Sequence, residues 1–424
     1  MNYCKRCIYP ENHPLGILFD NEGVCSGCRV HEEKDEINWI EKEQEFEKIL
    51  SLYRNKNNEY YDCIIPVNGN GDSFFVVDTL KNKFGMNPLL VTYNNQFSTK
   101  VGIRNLSRLI TKLDCDHLLN TVGPDTVKKI TKITLKKIGD IYWHVLAGNQ
   151  TFPVQVAVKF NIPLIIWGVH GWLDQVGMFS HYDQVEMTKK VRKEHGLRGI
   201  DAESLIGEDK TLSPKDLQAF TYPSNEDIEK INLRGLYLGN YVRWDSQMQT
   251  EKMIEKYGYE TAFQERTFNK YESIYCMLNA GMHDYIKFLK YGYGKATDHA
   301  CRDIRLNRIT REEGILFAKE YDSVVPESFD TFLNWLKIDK KTFYKYIDPF
   351  RDSQIWNKDQ DSWELKDSVS NHINDSGLDE VRLPIKDQRE YKETKLLEDQ
   401  SFTDDYILMG RSYMDIQNYK AVEG

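Results

Sequence analysis

The sequence lacks long apolar runs and lacks an excess of positive charge. No stretch approaches the roughly 18 consecutive apolar residues that a membrane-spanning helix needs. The 424 residues contain 56 Lys and Arg against 65 Asp and Glu, a formal net charge of −9. General nucleic-acid binders carry a clear positive excess. A soluble globular protein that acts on a small molecule is therefore expected, with a local basic patch left open.

Signals of secretion and of repetition are also absent. The start, MNYCKRCIYPENHP, lacks the charged segment, apolar middle and small-residue cleavage site of a secretory signal. A cytoplasmic location is expected, and reducing conditions follow from it. No internal repeat or low-complexity run occurs. The length predicts two or three units of roughly 100 to 200 residues each.

Four of the eight cysteines lie within the first 28 residues. Cys4, Cys7, Cys25 and Cys28 follow the spacing C-x2-C-x17-C-x2-C, which is typical of a four-thiolate zinc site. Four protein ligands leave no open position for a substrate, so the predicted Zn²⁺ is structural. Two reactive dithiols or a pair of disulfides are the alternative, and the cytosolic expectation argues against them.

Short apolar runs alternate with stretches of helical periodicity through the first half of the chain. DCIIPV, NPLLVTYN, HLLNTV and IPLIIWG predict buried strands, and the stretches between them predict helices. This alternation predicts an α/β fold with a doubly wound parallel sheet. After about residue 215, long helical stretches rich in Tyr, Lys and Glu predict a mainly helical region.

Four regions are therefore expected along the chain. They are a zinc-knuckle module (1–35), an α/β nucleotide-binding domain (36–215), a helical substrate or partner region (216–345) and a charged C-terminal extension (346–424). One amphipathic helix over residues 31–55 is expected to link the first two regions. Within the extension, DDYILMGRSYMDI (404–416) is apolar enough to dock on another surface.

The loop NGNGDS follows the first predicted strand and precedes a predicted helix. Gly69 and Gly71 permit backbone conformations closed to most residues, and Asn70 tolerates a positive φ. At the carboxyl end of a parallel strand, such a loop can direct several N–H groups at a phosphate. A tight turn without a ligand explains the same residues. The loop fits neither the G-x-x-x-x-G-K-[ST] nor the G-x-G-x-x-G pattern.

Asn68-Gly69-Asn70-Gly71-Asp72-Ser73 resembles the S-G-G-x-D-S loop of the PP-loop ATP pyrophosphatases. With the cysteine knuckle and the segments FPVQVAVKFNIPLIIWG, LDQVGMFSH, YVRWDS and YGYGKATDHACRDIRL, the chain is similar to the N-acetyl sugar amidotransferase family of bacterial surface-polysaccharide synthesis. The resemblance covers most of residues 1 to 345. It implies a Rossmann-like sheet of the adenine nucleotide α-hydrolase (PP-loop) type.

The resemblance also implies an activity. The family uses ATP and Mg²⁺ to convert the acetamido group of a sugar, usually nucleotide-linked, into an acetamidino group through an O-adenylated imidate that ammonia attacks. It implies that residues 68 to 73 bind ATP, that Asp72 orients the loop or holds Mg²⁺, and that Ser73 contacts the pyrophosphate. The resemblance further implies that separate glutaminase and cyclase-type proteins, related to those of histidine biosynthesis, supply the ammonia. In this sequence, no cysteine stands in a recognisable nucleophile context.

The loop departs from the family pattern at three positions. Asn68, Asn70 and Gly71 stand where Ser, Gly and a basic residue are usual. A weakened enzyme, a cation recruited from elsewhere, or a loop altered to trap a ligand would each explain this departure. The cations considered as substitutes are Lys100, Lys189, Lys190 and Arg192.

Polar residues at other strand ends are further candidates. Thr92, Tyr93 and Asn94 follow the second strand, where related enzymes hold adenine and ribose; ordinary strand-end polarity is equally open. After IPLIIWG, a loop carries His170, Asp174, Gln175 and His181. These suit proton transfer or a sugar hydroxyl network, and a self-satisfied loop is the alternative. A metal site is disfavoured because no tight ligand pairing such as H-x-x-x-H occurs.

Basic residues in the helical region are the remaining candidates. Lys295 lies in the same segment as Arg302 and Arg305, which are three residues apart, so one helix face can present guanidinium groups to a diphosphate or carboxylate. A surface ion-pair network explains them equally well. Arg243 next to Trp244 is either a ligand clamp or a packed pair.

Two other functions compete with the amidotransferase. A tRNA-thiolating PP-loop enzyme can also carry a cysteine knuckle and adenylate its substrate, but the acidic balance argues against it. A sugar- or nucleotide-binding subunit that assists an active paralogue would fit the altered loop.

Overall fold

The structure is a computed structural model, and it describes residues 1–55, 59–207, 210–360 and 362–375. The cysteine knuckle leads into helices α1 (Ser26–Glu36) and α2 (Trp39–Ser51). The prediction of a single amphipathic helix over residues 31–55 is therefore wrong. The side chain of Asn38 accepts a hydrogen bond from the Glu41 N–H and starts a second helix there.

A five-stranded parallel sheet forms the centre of the molecule. Its strands are β1 (Cys63–Pro66), β2 (Pro88–Tyr93), β3 (His117–Asn120), β4 (Leu164–Trp167) and β5 (Arg234–Tyr237), in the spatial order β3-β2-β1-β4-β5. All four neighbouring pairs are parallel. The strand order reverses between β1 and β4, and ligands of such sheets bind at the carboxyl ends beside that point.

Helices cover both faces of the sheet. They are α3 (Gly71–Asp78), α4 (Lys100–Leu113), α5 (Pro124–Ile138), α6 (Trp143–Phe160), α7 (Gly171–Val176), α8 (Lys189–Val191), α9 (Pro214–Leu217), α10 (Asn225–Lys230) and α11 (Ser246–Tyr257). Cys63 and Ile65 of β1 pack in one core with α3 and α4, whereas Ile64 packs with α6 in another. The doubly wound α/β fold is confirmed. Strand β5 lies beyond residue 215, so the sheet extends into the stretch expected to be helical.

The C-terminal region is mainly helical, as the sequence predicts. It contains α12 (Asp284–Tyr291), α13 (Lys295–Arg305), α14 (Arg311–Tyr321), α15 (Phe329–Leu336) and α16 (Lys340–Ile347). A hairpin of β6 (Trp356–Asp359) and β7 (Ser362–Leu365) follows within the expected charged extension. The segment 404–416, expected to dock, lies outside the described residues. Among those that are described, no helix is both long and apolar enough to cross a bilayer.

The cysteine knuckle packs against the C-terminal helices. Cys4, Cys7, Cys25 and Cys28 share a buried cluster with Cys301 of α13 and with side chains of α14. The first and last parts of the described chain are therefore held together by apolar contacts, which places the knuckle beside the sheet's functional edge.

The aromatic side chain of Phe46 is expected to stabilise the attachment of α2 to the sheet. It is fully buried and stacks on Tyr241 with ring centroids 4.6 Å apart. Phe46→Ala should lower the free energy of unfolding by about 3 to 5 kcal/mol. Ile40→Ala on the same helix, where the side chain is 71% exposed, should change it by less than about 0.5 kcal/mol. Urea unfolding compares the two, and equal effects would contradict this packing.

Candidate functional site

The loop after β1 is held by its own side chains. The Asn68 Oδ1 accepts hydrogen bonds from the Asn70 N–H (2.9 Å) and the Ser73 hydroxyl (3.1 Å). The Ser73 Oγ in turn accepts from the Asn68 N–H at 2.9 Å. Asn and Ser side chains commonly stabilise turns in this way. Asn68 therefore helps to shape the loop, although serine is usual at this position in the family that the sequence resembles.

Two loop glycines are required by packing. A Cβ atom at Gly69 would lie 2.3 Å from the Gly102 carbonyl oxygen of α4, and one at Gly71 would lie 2.5 Å from Thr250 Oγ1 of α11. Real Cβ atoms do not approach other atoms this closely. There is thus no room at Gly71 for the basic residue that the family usually carries.

The substitute cations considered from the sequence do not reach the loop. Arg192 is buried and donates to Thr151 Oγ1 (2.8 Å) and the Phe220 carbonyl (2.9 Å). Lys189 donates to Asn225. Within the part of the chain that the structure describes, no hydrogen bond or ion pair joins Lys100 or Lys190 to residues 68–73.

The loop carboxylate belongs to a buried charge cluster. The Asp72 Oδ1 is buried and has no hydrogen-bond partner among the described residues. Burial, and after it the nearby charge of Glu272, raise the pKa of Asp72 to about 7, although the charge of Arg302 acts in the opposite direction. The structure therefore places Arg302, expected from the sequence to bind substrate, where its charge acts on the loop.

Ion pairs hold the rest of this cluster. Arg302 pairs with Glu272 and lies 3.7 Å from an Asp174 oxygen, and Lys34 Nζ lies 2.6 Å from the other. Burial would raise the pKa of Asp174, but the charges of Lys34 and Arg302 hold it well below its usual range. Asp174, expected as a catalytic group, is thus an ionised carboxylate inside the cluster. Sequence reasoning missed Glu272 because no motif surrounds it.

A small cavity lies at the carboxyl ends of β1 and β2. Its volume is about 40 Å³, and it brings together residues predicted to bind ATP: Asn68, Gly69, Thr92, Tyr93 and Asn94. The Thr92 hydroxyl donates to the Val67 carbonyl (2.7 Å). Tyr275, which the sequence did not single out, forms another wall.

A larger cleft of about 620 Å³ lies next to it, and Asn149 lines both cavities. Side chains around the cleft include those of His13, His170, Trp172, Gln175, Arg198 and Lys295. The predicted residues His170, Gln175 and Lys295 therefore share one cleft. Lys295 Nζ donates to Ser273 Oγ (3.1 Å) and to Asn279.

Aromatic rings form one wall of the cleft. Trp172 and His195 stack with centroids 4.9 Å apart, and His170 meets Tyr237 edge to face. The His170 Nδ1 accepts from the Leu173 N–H at the start of α7. Burial lowers the pKa of His170 to about 4, so its imidazole is neutral at neutral pH.

Three residues expected to bind substrate line neither cavity: Arg302, which lies in the charge cluster, and His181 and Arg243. His181 is buried edge-on against Trp39. Arg243 donates to the Lys34 carbonyl (2.6 Å) and pairs with Asp35 (2.7 Å). Both side chains instead pack against α1 and α2.

The four cysteines fit a zinc ion. Their Sγ atoms lie within 4.8 Å of one another, all four are buried, and none is in a disulfide. Tetrahedral zinc with bonds of about 2.3 Å places the sulfur atoms about 3.8 Å apart, and the Cys7 and Cys25 sulfurs lie 3.6 Å apart.

The packing at Gly71 can be tested by a double-mutant cycle with Thr250. Gly71→Ala should be destabilising because its new Cβ meets the Thr250 side chain, and Thr250→Ala should recover part of that loss in the double mutant. The expected coupling is about 0.5 to 3 kcal/mol. Urea unfolding of the four proteins measures it. Additive effects would contradict the steric explanation for the missing basic residue.

Comparisons with known proteins cover different parts of the chain. A stretch of 102 residues is 28% identical to the uncharacterized protein MJ1599 of Methanocaldococcus jannaschii, 24% of this chain and 36% of that protein. The chain thus spans about a third of the length of this curated relative. Similar solved structures include an NMN synthetase from Francisella tularensis (16% identity, TM-score 0.27, 52% of this chain and 96% of that one). Another is an NH3-dependent NAD synthetase from Campylobacter jejuni in complex with nitrate (13% identity, TM-score 0.28, 46% of this chain and 95% of that one).

A family model matches the C-terminal helical region. Residues 265–370 match the C-terminal domain of LPS biosynthesis protein WbpG-like proteins. This range contains α12 to α16 and includes Glu272, Lys295 and Arg302. The match supports the resemblance found in the sequence: over these residues, the chain is similar to the C-terminal domain of WbpG-like lipopolysaccharide biosynthesis proteins.

Proposed function

We propose that this protein is an ATP-dependent amidotransferase that converts the acetamido group of a nucleotide-linked sugar into an acetamidino group in bacterial surface-polysaccharide biosynthesis. The observation that carries the proposal is the position of Asp72. Its unpartnered oxygen lies in the loop at the carboxyl end of β1, within reach of the charges of the WbpG-like region. The match of that region to LPS biosynthesis proteins supports the substrate class.

The reaction must turn a poor electrophile into a good one. The amide oxygen attacks the α-phosphorus of ATP and pyrophosphate leaves, which gives an O-adenylated imidate. Ammonia adds to the imidate carbon, a proton is lost from nitrogen, and AMP departs with the former amide oxygen. The sum is acetamide, ATP and ammonia giving acetamidine, AMP and pyrophosphate. Positioning and charge stabilisation supply most of such catalysis.

The loop supplies phosphate contacts in this proposal. Its backbone N–H groups precede the N-terminus of α3, where the helix dipole favours an anion. The Ser73 hydroxyl bonds Asn68 in the structure and is near enough to the loop N–H groups to turn to a phosphate oxygen. These donors replace part of the charge stabilisation that a loop lysine would provide.

The carboxylates nearby fit Mg²⁺. Mg²⁺ is usually held by one or two carboxylates and by substrate phosphates, and the unpartnered Asp72 oxygen, with the charge of Glu272 nearby, fits this pattern. Bound Mg²⁺ would neutralise charge on the leaving pyrophosphate. A cation here would also remove the repulsion between the two carboxylates.

Adenosine would occupy the small cavity after a side chain moves. Ligand pockets usually measure about 300 to 1,000 Å³, far more than the 40 Å³ beside Asn68. Tyr275 lines this cavity, and its hydroxyl lies 3.1 Å from that of Tyr142, which lines the larger cleft. Rotation of Tyr275 would therefore enlarge the nucleotide site next to the sugar site.

The larger cleft suits the sugar. Its 620 Å³ is within the usual range for a small-molecule site. The stacked pair of Trp172 and His195 offers an apolar platform for a sugar ring, and Gln175 and Lys295 offer polar contacts. The neutral imidazole of His170 can accept the proton that is lost when ammonia adds.

Ammonia would come from partner proteins of the glutaminase and cyclase type. Burial raises the thiol pKa of Cys63 and of Cys276, and raises that of Cys115 to about 11. A cysteine nucleophile needs a lowered pKa. These three thiols therefore lack the environment of a glutaminase nucleophile.

The test is a reaction of the full chain with ATP, Mg²⁺, ammonium and a panel of nucleotide-linked acetamido sugars, analysed by mass spectrometry with AMP quantified in the same tube. One sugar should exchange O for NH with a matching amount of AMP. Asp72→Asn should lower AMP formation by about 100-fold, because the carboxylate proposed to hold Mg²⁺ against the leaving pyrophosphate is lost. Asp78→Asn is the matched control on the same helix, since Asp78 pairs with Lys256, and it should keep near-wild-type activity.

Other outcomes would contradict the proposal. If the protein binds sugar and ATP but forms no AMP, even with a glutaminase partner present, a binding subunit that assists an active paralogue would be favoured. RNA retained through purification, with AMP formed only when tRNA is added, would favour a tRNA-modifying enzyme. Equal loss in both aspartate variants would remove Asp72 from its proposed role.

A further inference from the structure

Helix α7 is the element that presents most of the predicted cleft residues. His170 precedes its first turn, and Trp172 and Gln175 lie on it; all three line the cleft. The helix has only six residues. The last four carbonyls of a helix have no partner within it, so a helix this short depends on outside groups for its position.

Those outside groups belong to the knuckle and to α13. Arg305 Nη1 donates to the carbonyls of Asp174 (3.0 Å) and Gln175 (2.8 Å). The Ser26 hydroxyl, at the first residue of α1, donates to the Val176 carbonyl (2.6 Å). The C-terminal end of α7 is therefore capped by two residues from distant parts of the chain.

The same guanidinium contacts the cysteine sulfurs. Arg305 Nε lies 3.4 Å from Cys28 Sγ, and Nη2 lies 3.5 Å from Cys25 Sγ. Arg305 is 2% exposed, and a buried charge needs charged or hydrogen-bonding partners. Four thiolates around one divalent ion carry a net charge of −2, which provides that partner.

Two glycines allow this close approach. A Cβ atom at Gly27 would lie 2.3 Å from Arg305 Nη2 and 2.4 Å from the Gln175 carbonyl oxygen. At Gly177, where φ is +64°, a Cβ atom would lie 2.3 Å from the Ser26 carbonyl oxygen. Backbone contact between the knuckle and α7 is thus built into the sequence of both segments.

The knuckle also contributes directly to the cleft wall. His13 and Leu15, in the loop between the two cysteine pairs, also line it. The loop at Asn68 packs against other elements, namely α4, α11 and Tyr275. The Asp174 carboxylate of α7 is near the charge cluster of Asp72, but Lys34 and Arg302 hold it independently of Arg305.

We propose that the zinc knuckle is a structural part of the sugar-binding cleft, and that Arg305 is the positioning residue that couples the zinc-thiolate centre to α7. The identity of the ligand as a sugar rests on the proposed function; the coupling between the knuckle and α7 does not. Disturbing Arg305 should change sugar binding while leaving ATP binding in place.

The test compares Arg305→Met with Arg305→Lys and with a matched control, Arg311→Met. Arg311 is a buried arginine that donates to the carbonyls of Cys4 (3.3 Å) and Cys7 (3.2 Å) and makes no hydrogen bond to α7. Three properties of the full-length proteins are measured. They are amide hydrogen exchange of peptides covering 170–178, the rate of zinc loss to a chromogenic chelator, and the KM values for the sugar and for ATP.

Arg305→Met should speed exchange in α7 by about tenfold or more relative to the β1 and β2 peptides, because local opening becomes easier. Zinc loss should be about 10 to 100 times faster, as for other residues that support metal ligands. The sugar KM should rise about tenfold, with the ATP KM nearly unchanged. Arg305→Lys keeps the positive charge but lacks the planar guanidinium group. Its rate of zinc loss should therefore be closer to the wild-type value than its rate of amide hydrogen exchange in α7.

Arg311→Met should speed zinc loss without affecting α7 exchange or the sugar KM. Unchanged α7 exchange in Arg305→Met, or changes equal to those of Arg311→Met, would overturn the coupling. Faster α7 exchange with an unchanged sugar KM would overturn the role in the cleft. If the wild-type protein shows no amidotransferase activity, the proposed function fails by itself, and the exchange and zinc measurements still decide the coupling.

Discussion

Two guanidinium groups on one turn of α13, the partly buried Arg302 and the buried Arg305, organise the carboxyl edge of the sheet. Arg302 pairs with Glu272 and Asp174, and Arg305 bonds the cysteine sulfurs and the end of α7. A buried charge without partners is costly. The acidic groups of the loop region and the thiolates of the knuckle must therefore converge on α13, and this convergence brings the N-terminal knuckle, the sheet and the WbpG-like region together.

The same constraint explains how the altered loop can keep a place for a phosphate. Gly71 is fixed by its contact with α11, so positive charge cannot be carried at that loop position. Charge is supplied from α13, where Arg302 already acts on the pKa of Asp72. In the proposed reaction, the loop would contribute backbone donors and a carboxylate, and the C-terminal region would contribute positive charge.

The two cavities differ in how ready they are for a ligand. The cleft beside α7 is large and lined by rings and polar groups, whereas the cavity beside Asn68 is nearly filled. Tyr275 and Tyr142, whose hydroxyls meet, separate them. Together with Asn149, which lines both cavities, this pair of side chains connects the proposed sugar and nucleotide sites.

Local sequence features were sufficient to identify the strands β1 to β4, the cysteine knuckle and the loop at Asn68, because periodicity, ligand spacing and glycine placement act over a few residues. Tertiary structure alone decided that β5 completes the sheet and that the charge of Glu272 acts on Asp72. It also decided that His181 and Arg243 pack against α1 and α2 instead of lining the cleft. Arg305 and Cys28 are 277 residues apart in the chain. No local pattern records such a contact, since what selects it is the need of a buried charge for a partner, and only the folded chain brings the partner within reach.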